Sequence, residues 1–174
     1  PLAQAYAMAK ALAGAELDAV PGIKKHIGKY DQDGDGKITE KEIHDRLGTW
    51  KDQGLGMRGL TVFVNLDNQP LEGATILFEP EPYLGEVVHP ATGVTGPRGS
   101  TRVAIAEEFL PEQLQGKHGA YLTGGTYKIR VTHPTKDIPP KYNDQTTLGE
   151  EVAPDEVRAR VAALGLEAAQ GAGR

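Results

Sequence analysis

LTVFVNLDNQPLEGATILFEP, residues 60 to 80, decides the fold. Its apolar residues fall on alternate positions: Leu60, Val62, Val64 and Leu66 in the first half, Ala74, Ile76 and Phe78 in the second. Side chains alternate across a strand, so this two-residue period predicts two strands, each with one face buried. Between them, Asp67, Asn68, Gln69 and Pro70 have turn chemistry, and Pro70 with Gly73 shapes a hairpin. The pattern returns in STRVAI (100–105), where Val103 and Ile105 share a face. It returns again in TYKIRV (126–131), where Tyr127, Ile129 and Val131 oppose Lys128 and Arg130. Half-buried strands of this kind belong to antiparallel sheets packed face to face. GPRG (96–99) is a turn, EEFLPEQL (107–114) reads as a helical turn, and residues 134–152, with three prolines, read as ordered loop with short edge pairing.

Composition changes near Gly56. Before it, Ala, Lys, Ile and Leu recur at helical spacing. PLAQAYAMAKALAG (1–14) predicts a helix with Leu2, Ala5, Ala9 and Leu12 on one side, and ELDAV (16–20) a further turn. GIKKHIGKY (22–30) predicts a short helix with Ile23, Ile27 and Tyr30 aligned, and TEKEIHDRLGTW (39–50) one with Ile43, Leu47 and Trp50 aligned. The tail from Pro154 also reads as helix: proline and two acids suit a first turn, and Val157, Val161 and Leu164 form a stripe. The expected class is α+β, with a helical region (1–56), an antiparallel β-sandwich (57–153) and a C-terminal helix (154–174).

Between two of the predicted helices lies DQDGDGKITEKE, residues 31–42, with five carboxylates in twelve positions. A dication offsets that repulsion. Calcium takes six to eight oxygen ligands, and a twelve-residue loop supplies them from positions 1, 3, 5, 7, 9 and 12. Here these are Asp31, Asp33, Asp35, Lys37 through its carbonyl, Thr39 through a water, and Glu42 with both oxygens. Gly36 stands where the chain turns with positive φ, and Ile38 follows as an apolar anchor. This is the EF-hand pattern, matched at every ligand position, and calcium suits it better than magnesium, which prefers a smaller octahedral shell. No second loop of this kind occurs in the chain. A lone hand has three options: a hand on another chain, its own neighbours packed around Ile38, or another part of a larger protein. With only Met8 and Met57 there is no methionine-rich groove, so a structural calcium site is favoured over a sensor.

The β half resembles a carboxypeptidase-regulatory-like domain, a transthyretin-like, Ig-like sandwich. The resemblance is carried by QPLEGATILFEP (69–80), TGPRGSTRVAI (95–105) and GGTYKIRV (124–131). DIPPKYNDQTTLGEEV (137–152) looks like a segment that follows such domains in planctomycete-type secreted proteins, which also carry EF-hands. The chain departs from the family in having Thr95-Gly96 where Thr-Asp is usual, and in reading as helix where the family has a last strand. The resemblance implies an extracytoplasmic module, and an open sheet edge would recruit a partner.

Other classes fit less well. The net charge of -5, without a Lys/Arg block, argues against nucleic acid, and the absence of cysteine excludes disulfides and thiolate chemistry. No apolar run nears the roughly 20 residues that span a bilayer. The chain begins at Pro1, as expected of a processed chain or a piece of a longer one. The fold family also hosts a hydroxyisourate hydrolase with a terminal YRGS, but PRGS here (97–100) sits inside a turn. Of the five histidines, His26 and His44 lie on the predicted helices, His89 and His133 precede prolines, and His118 stands apart, with no H-E-x-x-H spacing. The loop FEPEPYLGEVVHP (78–90), carrying Glu79, Glu81, Tyr83 and His89, reads as a surface crossover. With Tyr142-Asn143 it is where a ligand would be sought. The expected function is calcium-dependent structural or interaction work outside the cytoplasm, with a protein partner or a second copy, and no catalysis. The alternative is a calcium-responsive regulatory or accessory domain of an enzyme whose catalytic part lies elsewhere.

Overall fold

The computed structural model describes residues 15–52, 56–153 and 161–168. The helix expected over 1–14 lies outside them. The described front consists of α1 (Ala15–Asp18), α2 (Pro21–Lys25), a 3₁₀ turn (Ile27–Lys29) and α3 (Glu40–Asp52). Pro21 opens α2, where its missing N–H costs nothing, and Ile23 is fully buried. On α3 the aligned Ile43, Leu47 and Trp50 are all buried. Ile38 is also fully buried, within a single chain.

The remainder is β1 (Met57–Arg58), β2 (Leu60–Leu66), β3 (Gln69–Pro70), β4 (Thr75–Pro80), β5 (Ala91–Val94), β6 (Ser100–Ile105), β7 (Leu122–Thr123), β8 (Gly125–Thr132), β9 (Gly149–Val152) and β10 (Val161–Leu166). The main sheet runs β10-β2-β6-β5-β4-β8-β9, with β3 beside β2, and β1 and β7 form a small separate ribbon. β6 belongs to both halves: Ser100–Val103 pair with β2, Ala104–Ile105 with β5. The sheet therefore curls, in the manner of a sandwich or an open barrel. Its inner face carries the alternating residues: Val62 and Val64, Ile76 and Phe78, Val103, and Tyr127, Ile129 and Val131 are fully buried, while Leu66 at the strand end is half-buried.

Turn chemistry locks the first hairpin. Asp67 and Asn68 both have positive φ (51° and 63°), the I′ geometry whose twist matches the flanking strands. Gly99 (φ 66°) backs directly onto this hairpin. A Cβ there would stand 2.5 Å from the Val64 carbonyl oxygen, so only glycine fits. Thr95 is buried and clamps the hairpin exit. Its hydroxyl donates to the Leu71 carbonyl (2.5 Å) and accepts from the Ala74 amide (2.9 Å).

The expected C-terminal helix requires correction. Val157 and the rest of 154–160 lie outside the described residues, but Val161–Leu166 is a strand, parallel to β2 from Val161↔Thr61 to Leu166↔Leu66. Ala162, Leu164 and Leu166 are buried while Ala163 and Gly165 are exposed, a two-residue period. Of the helical stripe of Val157, Val161 and Leu164, only Val161 and Leu164 fall among the described residues, and in a strand their three-residue spacing puts them on opposite faces. The unpaired edge of β2 offers a full ladder of hydrogen bonds and a core face. These outweigh a weak helix propensity that Val161 and Gly165 further lower.

Candidate metal site

Two positive-φ glycines bend the loop between the 3₁₀ turn and α3, Gly34 (75°) and Gly36 (78°). The bend turns backbone amides inward. The Asp31 carboxylate accepts from the amides of Gly34 (2.7 Å), Asp35 (3.1 Å) and Gly36 (2.9 Å), and Asp35 accepts from Lys37 (2.8 Å). The carboxylates of Asp31, Asp33 and Asp35 consequently converge, each offering an oxygen within 4.8 Å of the others.

Glu42 closes the loop from the first turn of α3. Its Oε1 accepts the Gln32 amide (2.8 Å), and its Oε2 the Thr39 amide and hydroxyl (both 2.8 Å). The Thr39 amide foremost holds the carboxyl below its usual range, against desolvation and with help from the Thr39 hydroxyl and Gln32 amide. Thr39 in turn caps α3, its hydroxyl receiving the Glu42 amide (3.2 Å). Of the six expected ligand positions, the three aspartates are gathered. Glu42 is fixed at the other end of the loop, the Thr39 hydroxyl faces Glu42, and the Lys37 backbone amide donates to Asp35. The donor set is all oxygen and mostly anionic, which fits a hard cation of calcium's size.

A second polar cluster, which the sequence reading did not find, joins this front to the sheet. Glu150 and Glu151 of β9 are both buried. Glu150 takes Lys25 Nζ (2.6 Å) and His26 Nε2 (2.8 Å); burial pushes its carboxyl up, but these two partners prevail and hold it below its usual range. Glu151 takes Lys29 Nζ (3.1 Å) and the Arg46 guanidinium through both Nε (3.3 Å) and Nη2. Arg46 also lies over the Trp50 ring, 5.5 Å from its centre. In the sequence both glutamates fall in 134–152, which reads as ordered loop with short edge pairing. The signal available was Gly149 leading a Glu-Glu-Val run into Ala153.

The loop at 78–90 is no surface crossover at its centre. Glu81 is fully buried, its Oε1 accepts the Gly22 amide of α2 (2.8 Å), and its Oε2 has no hydrogen-bond partner among the described residues. Tyr83 bonds the Thr126 hydroxyl. Glu79 pairs with Arg130 (2.7 Å), and His89 stacks on Phe109 with 3.9 Å between ring centres. Tyr142 is buried, its hydroxyl receiving the Glu167 amide (3.1 Å), and the Asn143 side chain binds the Ile138 carbonyl, so both shape the loop. His133 accepts amides from Thr135 and Lys136, and His44 lies 3.8 Å from Asp45.

No family model, curated protein or solved structure matches the chain. Among the described residues, no helix is long and apolar enough to cross a membrane.

Glu81 gives the molecule a pH dependence of its own. Burial pushes its carboxyl above the ordinary value of 4.5, against the Thr126 hydroxyl, the Gly22 amide and the Lys128 charge. The folded state therefore holds the proton more tightly than the unfolded state. Its contribution is complete below the unfolded value and is lost as pH rises through the folded one. Urea unfolding of wild type and Glu81→Gln between pH 4 and 8 is expected to show a stability difference that favours the wild type increasingly toward low pH. A difference independent of pH would remove Glu81 as its source.

Proposed function

We propose that this chain is a calcium-binding, non-enzymatic structural and interaction module that works outside the cytoplasm within a larger assembly. The observation that carries the reading is the convergence of the Asp31, Asp33 and Asp35 carboxylates in a loop turned by Gly36 and closed by Glu42. Asp31, Asp33, Asp35, the Lys37 carbonyl, Thr39 through a water and Glu42 would hold the ion, which supplies the positive charge that lets these groups share one turn. Burial of Ile38 inside its own chain supports a hand that works without a second hand. The curled, mostly antiparallel sheet agrees with the resemblance to transthyretin-like modules, from which the extracytoplasmic setting follows. Millimolar calcium there saturates a site with a dissociation constant of about 10⁻⁴ to 10⁻³ M.

Calorimetric titration of chelator-stripped protein is the test. One ion per chain is expected. At calcium a hundredfold above the dissociation constant, stability should rise by about 2.7 kcal/mol, read as a higher thermal midpoint. Absence of both heat and shift at millimolar calcium defeats the proposal. Unchanged helicity and hydrodynamic size on chelation mark a structural site, and a change in either marks a regulatory one.

A further inference from the structure

β9 is an edge strand whose one strand partner among the described residues is β8. All four of its residues are nevertheless buried, because α2 lies across it. The approach is close. A Cβ on Gly149 would stand 2.2 Å from the Gly22 nitrogen and 2.5 Å from the Pro21 oxygen, and one on Gly22 would stand 3.0 Å from the Glu150 oxygen. Backbone meets backbone here, and nothing larger than glycine fits at 149 unless α2 moves.

The same strand grips the loop from both ends. Lys29 stands two residues before Asp31, and Arg46 four residues after Glu42. Both reach Oε1 of Glu151, whose side chain is 0% exposed. One buried carboxylate therefore ties the segment entering the loop to the helix leaving it. An ion that draws Asp31 and Glu42 into one shell needs those two arms at a set separation, and a fixed separation lowers the ordering cost of binding. In a paired hand that restraint comes from the second hand.

We propose that Glu151 is a positioning residue for the calcium loop, seated by the Gly22–Gly149 contact, so that strand β9 does the work of a partner hand, and that calcium in turn keeps the β9 edge covered. This rests on the calcium reading of the loop. Coupling of two equilibria is reciprocal: whatever calcium adds to docking, docking adds to calcium affinity.

The test uses the whole chain. Calcium affinity is measured by calorimetry for wild type, Glu151→Gln and Gly149→Ala, and amide exchange over residues 149–152 is followed with calcium and with chelator. Glu151→Gln is expected to weaken calcium binding about tenfold, within the usual range of coupling. Gly149→Ala should act in the same direction without touching a charge, and it stands in should Glu151→Gln fail to fold. In the wild type, chelation should speed exchange at 149–152 about tenfold. Wild type that binds calcium while the variant's dissociation constant is unchanged overturns the inference, even if the variant melts lower, because Glu151 is then ordinary packing. Equal exchange with and without calcium overturns it as well. Wild type that takes up no calcium defeats the loop reading itself, and the inference with it.

Discussion

Glu42→Gln is expected to weaken calcium binding by about 100-fold, equivalent to about 2.7 kcal/mol. Glutamine keeps the length of the side chain and one acceptor oxygen, so it still receives the Gln32 or Thr39 amide that holds Glu42 in place (2.8 Å each). What it removes is the charge and the second oxygen, and calcium affinity is tuned chiefly by ligand charge and site rigidity. Stability in chelator should fall by about 1–3 kcal/mol, because one of the two amides loses its acceptor, and the gain on adding calcium should disappear. Parallel calorimetric and thermal titrations check both halves. A Glu42→Gln variant that binds as tightly as wild type would show that the aspartates hold the ion without the closing carboxylate.

Ala162→Asp should lower stability by about 3–5 kcal/mol, because it places an unpaired charge in the core. Ala162 is 3% exposed on β10, facing inward beside Leu164 and Leu166. Ala163→Asp, one position along on the exposed face, should stay within about 0.5 kcal/mol of wild type. For a chain of this size a loss of that magnitude lowers the melting temperature by roughly 6–20 °C. The pair separates strand from helix: the helical stripe of Val157, Val161 and Leu164 treats 162 and 163 alike, whereas a strand does not. Equal tolerance at both positions would remove β10 from the sheet.

Much of the sheet was legible because burial on one face writes itself into alternate residues. Leu60, Val62 and Val64, Ile76 and Phe78, and Tyr127, Ile129 and Val131 all turned inward as their spacing required. The stripe of Ile43, Leu47 and Trp50 was equally plain, and the loop aspartates converge as their two-residue spacing implied. β10 was not legible. Six residues of Val, Ala, Leu and Gly carry too few polar positions to fix a period, and the edge that claims them lies about a hundred residues away in sequence. The seam was hidden for a related reason. Arg46 and Glu151 are 105 residues apart, and a glutamate destined for burial looks the same in sequence as one destined for water. Only the partner decides, and partners are set by topology. Glu81, flanked by Pro80 and Pro82, offered a partial clue: rigid backbone on both sides of an acid suggests a position that matters.

The parallel pairing of Val161–Leu166 with Thr61–Leu66 has a consequence for biosynthesis. A ribosome adding roughly 5–20 residues per second exposes the first long strand seconds before the segment that flanks it has been made. In that interval the strand presents bare amides and carbonyls along a flank rich in valine and leucine, the kind of surface on which nascent chains stick to one another. The local hairpins close early. Completion of the sheet waits for Val161–Leu166 to emerge and return, so truncations or stalls before these residues should yield aggregates rather than soluble fragments.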